Sequence, residues 1–90
     1  MYSLKYTSRF RKNLKRYQHD LKLLSELKKI LDILTRGEKL PDKNCSHLLR
    51  GEFKDCIECH VRPDVLLIYK IENKELIILL LRIGSHSDLF

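Results

Sequence analysis

The sequence has few of the features that mark disulfide-rich, secreted or membrane-spanning proteins. Cysteine occurs three times in 90 residues, an odd number and too few for a disulfide scaffold. The longest apolar run, residues 76–81, is far shorter than the roughly 20 residues that cross a bilayer. Residues 1–6 contain no apolar segment of the kind that directs secretion. We therefore expect a single domain over residues 1–90, reduced, cytoplasmic and without membrane contact.

Positive charge is concentrated in the first part of the chain. Residues 1–36 hold ten lysines and arginines against three acidic residues, a net charge of +7. Residues 37–90 hold eight basic residues against nine acidic ones, a net charge of −1. A basic surface on a small domain suits a polyanion such as RNA, the ribosome or DNA, and also an acidic protein partner. The same pattern is typical of a solvated, lysine-rich helix face, so charge alone does not decide between these readings.

Apolar residues recur every three or four positions between residues 8 and 36, where neither glycine nor proline occurs. This period predicts helix, capped by Thr7 or Ser8 and ended at Gly37. One helix of that length would extend about 43 Å at 1.5 Å per residue, too long for a compact domain of this size. We therefore expect two helices, with a break at residues 18–20 and Asp20 as the second cap. A coiled-coil arm is the alternative, but the flanking charge pattern of a coiled coil is missing.

Short alternating or continuously apolar segments occupy the rest of the chain and predict strands. The connections between the last three segments are so short that these strands must be antiparallel neighbours. The order β-α-α-β-β-β predicts an α+β domain in which two N-terminal helices pack on a small, mainly antiparallel sheet. The predicted strands are residues 2–6, 53–61, 64–71 and 75–83.

Histidines at the ends of predicted elements form the candidate catalytic set. His47 lies in the loop before the second strand, His60 ends that strand, and His86 follows the last strand. Imidazole titrates at about pH 6.5, so one ring can accept a proton from a 2′-hydroxyl while another protonates the departing 5′-oxygen of RNA. Asp64 and Arg82 also lie at strand ends, and an arginine can stabilise charge on a phosphorane. Spacing alone slightly favours the alternative, that these are ordinary scattered surface histidines.

The cysteines raise a zinc site as an alternative. Cys56, Cys59 and His60, with Cys45 and His47 upstream, superficially resemble a zinc pattern. In a strand, residues three apart point to opposite faces, and neither glycine nor proline supplies a turn between them. We therefore expect Cys59 to pack in the core, and we expect neither a metal nor another cofactor.

The C-terminal half resembles the YafQ branch of the RelE/ParE toxin superfamily. The combination of His-x-x-Pro-Asp, Arg-x-Gly-x-His and a terminal Phe carries the resemblance, while the N-terminal half is similar mainly in element order and basic character. The matching segments are 47–51 (HLLRG), 58–69 (ECHVRPDVLLIY) and 81–90 (LRIGSHSDLF).

The resemblance implies a fold, an activity and partners. Such toxins have two helices on an antiparallel sheet. They are metal-independent endoribonucleases, or mRNA interferases, that cleave mRNA in the ribosomal A site and leave a 2′,3′-cyclic phosphate and a 5′-hydroxyl. A cognate antitoxin holds them inactive, and the toxin reaches operator DNA only through the antitoxin complex.

The resemblance also assigns roles to residues of this chain. His86 would be the general acid and His47 the general base, with Asp64 orienting or polarising a neighbour. His60 and Arg82 would hold the scissile phosphate.

Further positions bear on substrate recognition. Phe90 would help to position the nucleotide. Two departures from the family pattern are Leu48, where proline is common, and Val65, where some relatives carry tryptophan. The second departure removes a stacking surface for a base that those relatives have.

The basic helices suggest a separate binding surface. We expect Lys12, Lys15 and Arg16 to contact the ribosomal RNA backbone, because such contacts need only charge. Two other functions stay open: a ParE-like toxin that poisons DNA gyrase, and a non-catalytic, basic nucleic-acid-binding module. Neither of these would depend on the three histidines.

Overall fold

A computed structural model describes the backbone of residues 1–90 and every side chain except that of Glu52. Over this range, five strands form one sheet in the order β1-β5-β4-β3-β2. β1 runs parallel to β5, and the other neighbouring pairs are antiparallel. The α+β architecture with a mainly antiparallel sheet is therefore confirmed. The strands are β1 Ser3–Tyr6, β2 His47–Leu48, β3 Ile57–Arg62, β4 Val65–Glu72 and β5 Ile77–Gly84; the helices are α1 Ser8–Leu14, α2 Leu21–Thr35 and α3 His86–Leu89.

The long helical pattern breaks where the sequence predicts. α1 gives way to a 3₁₀ turn at Lys15–Tyr17, and α2 begins after Asp20, whose carboxylate accepts the backbone N–H of Leu23. Thr7 caps α1 in the same way. This folding-back keeps the molecule within 34 × 28 × 28 Å.

Gly37 terminates α2 in a left-handed conformation with φ +72°. Its backbone N–H donates to Leu34, and that of Glu38 donates to Ile33, so the last carbonyls of the helix are satisfied. A residue with a Cβ at this position would be strained.

The second predicted strand begins later than expected. Residues 51–53 form a 3₁₀ turn rather than strand, and Asp55 has a positive φ of 69°. β3 therefore starts at Ile57. Both β2, of two residues, and α3, of four residues, are too short to show a hydrophobic period, which is why the sequence does not predict them.

The two faces of the sheet bury different clusters. α1 and α2 cover one face, where Phe10, Leu23, Leu67 and Leu80 are fully buried in the main core. The opposite face carries a smaller cluster in which α3 presses Leu89 onto the sheet; its other buried members are Cys56, Leu66 and Ile68. Within the described part of the chain, none of the helices has the length and apolar character needed to cross a membrane.

Candidate active site

One row of paired residues crosses the sheet on the face opposite α2. His47 of β2 pairs with Glu58 of β3, Glu58 pairs with Ile68 of β4, and Ile68 pairs with Arg82 of β5. Directly paired residues project to the same face of a sheet. The pairing therefore brings a histidine, a carboxylate and an arginine from distant parts of the sequence onto one surface. His60 lies on this face too, through its pairing with Leu66.

The side chains of His60, Asp64 and His86 meet in one pocket. Together with Glu58 they line a cavity of about 280 Å³ at the end of the sheet where β3 turns into β4. A second hollow of about 570 Å³ continues from it and is lined by Asp64, His86 and Phe90. Four of the six sequence-predicted active-site residues therefore share one continuous cleft.

α3 holds His86 and Phe90 over the sheet. Ser85 and Asp88 form a reciprocal capping box, in which each side chain binds the other residue's backbone N–H. The His86 ring packs edge-on against Phe90, with ring centroids 5.1 Å apart, and Phe90 in turn contacts Phe53. The Asp88 carboxylate also accepts a hydrogen bond from Arg16 at 2.8 Å, which ties α3 to the 3₁₀ turn after α1.

His47 contacts two oxygen acceptors. Its Nδ1 lies 3.0 Å from the carbonyl of Cys45, and its Nε2 lies 3.5 Å from Oε1 of Glu58. The ring is half exposed, whereas the Glu58 side chain is 10% exposed. His47 is therefore not part of the lining of the 280 Å³ cavity but contacts Glu58, which is.

Glu58 is the residue that sequence reasoning missed. It is a buried carboxylate that reaches His47 and lines the same cavity as His60 and His86. Burying a carboxylate is costly unless a partner compensates it, and His47 is the partner here. The available signal was strand parity, since Glu58 stands two residues before His60 and must share its face.

Arg82 lies on the cleft face by register, but its side chain leans over the edge of β5. Its Nε donates a hydrogen bond of 2.9 Å to Oδ1 of Asn13 in α1, and the same oxygen accepts the backbone N–H of Ile83 at 3.3 Å. Arg82 is not among the described residues that line the 280 Å³ cavity. Among the described side chains, the Nη atoms of Arg82 form no hydrogen bond or ion pair.

Asp64 is the last member of a row of ionic contacts that runs from Asp20 through Arg62. Its carboxylate lies 3.5 Å from Nε of Arg62, whose Nη2 donates to Asp20 at 2.7 Å. The backbone N–H of Leu23 and the Arg62 guanidinium hold the pKa of the Asp20 carboxyl below its usual value. The hydrogen bond to Asp20 correspondingly raises the pKa of Arg62. The side chain of Asp64 is 80% exposed, so it is open to substrate.

The predicted ribosome-contact residues differ in their surroundings. Lys12 and Lys15 are exposed on α1 and the turn that follows it. Arg16 is also exposed but is paired with Asp88, so part of its role is to fix α3.

The three cysteines lie in different surroundings. Cys59 is fully buried in the main core, as expected, and burial raises the pKa of its thiol to about 12. Cys56 packs on the other face of the sheet and Cys45 is exposed. Among the described side chains, no group of three His, Cys, Asp or Glu residues is placed to hold a metal ion.

Comparisons with known proteins agree over nearly the whole chain. Residues 2–90 match the family model described as the bacterial toxin of type II toxin–antitoxin systems, YafQ. The mRNA interferase toxin YafQ of Escherichia coli K12 is 32% identical over 88 residues, which cover 97% of this chain and 94% of that protein. Among solved structures, YafQ from E. coli BL21(DE3) superposes with a TM-score of 0.87 at 28% identity, covering 100% of this chain and 99% of that one. The toxin in the E. coli DinJ–YafQ complex gives a TM-score of 0.85 at 30% identity, with 100% and 99% of the two chains covered.

Proposed function

We propose that this chain, which belongs to the YafQ family of bacterial type II toxins, cleaves messenger RNA by acid–base chemistry in the cleft between β3 and α3. It is the toxin of a toxin–antitoxin pair and an mRNA interferase, that is, an endoribonuclease. Its partners are mRNA and an antitoxin that corresponds to DinJ in the E. coli complex. The observation that supports the mechanism is the shared cavity of Glu58, His60, Asp64 and His86.

The reaction needs a proton acceptor for the 2′-hydroxyl. The sequence-based prediction gave this role to His47, but both of its ring nitrogens already face oxygen atoms, of Cys45 and Glu58. Glu58 lines the cavity directly and can accept the proton itself. We therefore assign the base to Glu58 and give His47 the task of orienting the carboxylate.

The departing group needs a proton donor. His86 stands on the opposite wall of the cavity from β3, exposed at the first position of α3. As the 2′-oxygen bonds to phosphorus, the bond from phosphorus to the 5′-oxygen breaks, and protonated His86 transfers its proton to that oxygen. The products are a 2′,3′-cyclic phosphate and a 5′-hydroxyl, with one proton taken up by Glu58 and one released by His86.

The remaining residues bind and orient the RNA. His60 and the Nη atoms of Arg82 can donate hydrogen bonds to the non-bridging phosphate oxygens, where charge increases in the transition state. Phe90, which is 55% exposed beside His86, offers a face for a base. The exposed cations of Lys12 and Lys15 suit the ribosomal RNA backbone.

Primer extension on translated and untranslated mRNA tests the proposal. With purified protein, we expect 5′-hydroxyl ends in the translated sample and not in the untranslated one. His86→Gln and Glu58→Gln should each reduce the cleavage rate about 10²–10⁴-fold, the usual contribution of a general acid or base. His19→Gln is the matched control, because His19 is an exposed histidine outside the cleft.

The two assignments of the base make different predictions. If Glu58 accepts the proton, His47→Gln, which can still donate to Glu58, should retain far more activity than Glu58→Gln. Equal loss in both would return the base to His47. Full activity of both His86→Gln and Glu58→Gln would refute acid–base catalysis in this cleft.

A further inference from the structure

A second groove opens on the other side of His60. It has a volume of about 630 Å³, and His60 lines both this groove and the 280 Å³ catalytic cavity. This volume falls within the range of about 300–1,000 Å³ that ligand pockets occupy. The roles proposed above use no part of it beyond His60.

The groove exists because β2 is shorter than β3. β2 pairs only with Ile57 and Glu58, so the outer edge of β3 has no strand partner from residue 59 onward. The 3₁₀ turn at Asp42–Asn44 faces this edge instead, and Nδ2 of the buried Asn44 donates 2.7 Å to the carbonyl of His60. The first turns of α2 form the opposite wall.

The groove combines an apolar floor with positive walls. Val61 and Pro63 contribute apolar surface beside His60. Lys22 on α2 and Lys43 on the 3₁₀ turn project from the two walls, and neither has an acidic partner among the described side chains within ion-pair distance.

The other charged side chains that line the groove form ion pairs within the protein. Arg62 is paired with Asp20 at 2.7 Å. Glu26, the acidic residue on the lining, lies 3.5 Å from Lys29. The cations left for a ligand are therefore Lys22 and Lys43, which favours an anionic ligand.

We propose that this groove binds the nucleotide that neighbours the scissile phosphate on the His60 side, as a subsite for single-stranded RNA. The inference rests on the proposed nuclease function, because continuity through His60 makes the groove the next stretch of surface that a cleft-bound strand reaches. Single-stranded RNA is bound by a cationic groove that follows the backbone, often with aromatic side chains on which bases stack. The two lysines supply the cationic groove, His60 is the aromatic ring on its lining, and Val61 and Pro63 add apolar contact for a base.

The accessibility of Cys45 can show whether this groove is occupied. It lines the groove and is exposed. Cys56 and Cys59 are buried, and burial raises the pKa of both thiols, so they alkylate slowly. The rate at which iodoacetamide modifies Cys45 therefore reports whether the groove is covered.

The probes are 2′-O-methyl RNAs, which cannot be cleaved because the attacking hydroxyl is blocked. A dinucleotide should shift the imidazole NMR signals of His60 and His86 without protecting Cys45. Tetranucleotides extended on the 5′ or on the 3′ side should differ, with one of them slowing alkylation of Cys45 at least several-fold. Equal alkylation with all three RNAs, or full protection by the dinucleotide, would overturn the subsite.

Paired charge variants test the role of the lysines. In Lys22→Gln/Lys43→Gln, RNA should no longer protect Cys45 from alkylation. The slope of the logarithm of the RNA binding constant against the logarithm of salt concentration should fall by about 1.4, or about 0.7 for each phosphate contact to a single strand. Lys39→Gln/Lys74→Gln has the same net charge and removes exposed lysines outside the groove, so it should bind as the unaltered chain does.

The outcomes separate this inference from the nuclease proposal. If the imidazole signals shift but the Lys22/Lys43 variant keeps the unaltered salt slope and protection, the subsite is refuted and the catalytic cleft is not. If none of the RNAs shifts the signals of His60 and His86, the subsite is refuted; the nuclease proposal fails only if primer extension also finds no cleavage in the translated sample. Protection of Cys45 by the antitoxin but not by RNA would assign the groove to the antitoxin instead.

Discussion

Asn13→Ala is expected to destabilise the protein and to slow RNA cleavage, although Asn13 lies outside the cleft. Its Oδ1 accepts the backbone N–H of Ile83 at 3.3 Å and Nε of Arg82 at 2.9 Å. Alanine leaves the N–H of Ile83, a residue that is 2% exposed, without this acceptor. It also frees the Arg82 side chain to leave the position in which its Nη atoms can meet a phosphate.

The two losses have different magnitudes. Leaving a buried backbone donor unpaired costs about 1–3 kcal/mol, against a total stability of about 5–13 kcal/mol for a chain of this length. At about 4–8 °C per kcal/mol for a small domain, a loss of about 2 kcal/mol lowers Tm by about 8–16 °C. A misplaced catalytic group can reduce the rate about 10²-fold, so the cleavage defect should persist well below the lowered Tm.

Asn13→Asp separates the hydrogen bonds from the rest of the side chain. The carboxylate keeps an acceptor at the same place, so Tm should return close to that of the unaltered chain, while the rate stays reduced because the carboxylate competes with phosphate for Arg82. Arg9→Ala, an exposed change on the same helix, controls for effects on α1 itself. Thermal unfolding followed by circular dichroism and cleavage of RNA at 25 °C supply the two readouts. An unchanged Tm and rate in Asn13→Ala, or equal destabilisation in Asn13→Asp, would refute the reasoning.

Two further predictions concern the supports of the cleft. In Gly84→Ala the added Cβ would lie 3.3 Å from Cβ of Asp88, so α3 should shift. We expect the free energy of unfolding, measured by chemical denaturation, to fall by about 1–3 kcal/mol, and the cleavage rate to fall by more than this loss of stability explains. Native-like activity would mean that α3 tolerates displacement. In Asp20→Asn, which keeps a helix cap, the charge is removed. Because the backbone N–H of Leu23 and the Arg62 guanidinium lower the pKa of the Asp20 carboxyl in the folded state, its charge stabilises the protein above the usual value of 3.8 and ceases to do so as the pH falls through the lower folded-state pKa. The stability difference between the two proteins should therefore be full at pH 7 and shrink below pH 3.8; a difference independent of pH would contradict this.

The break between the two helices and the burial of Cys59 could be predicted from the sequence. The break near residue 20 follows from a cap residue inside a helical period that is too long for the domain, and Asp20 does cap α2. The expectation that Cys59 packs in the core follows from strand parity and is confirmed. The Cys59 prediction uses only the alternation of a strand, and the break uses a helical period together with the size of the domain, so neither needs a distant partner.

The parts of the site that were missed depend on distant partners. Strand parity places Glu58 on the face of His60, but its contact with His47 depends on β2, which is two residues long. Asn13 acts on residues about seventy positions away, a contact with no trace in local period or composition. The resemblance pointed to His60, Asp64 and His86 as candidates, whereas the contacts of Glu58 and Asn13 could be recognised only from the fold.

The sheet itself explains why the cleft forms at this end. β1 stops at the pair Tyr6–Leu80 while β5 continues to Gly84, and β2 stops beside Glu58 while β3 continues to Arg62. The inner strands therefore project beyond both outer strands. Full-length outer strands would cover the edges of the sheet on which Arg82 and His60 stand.

Two asparagines take over hydrogen bonds that longer outer strands would have made. Oδ1 of Asn13 accepts the N–H of Ile83 on one edge, and Nδ2 of Asn44 donates to the carbonyl of His60 on the other. A side-chain amide satisfies a backbone group with one residue, whereas a strand would bring a whole row of side chains with it. Backbone hydrogen bonding is thus preserved next to His60 and Arg82 without burying them, because a single side-chain amide satisfies each edge and covers little of it.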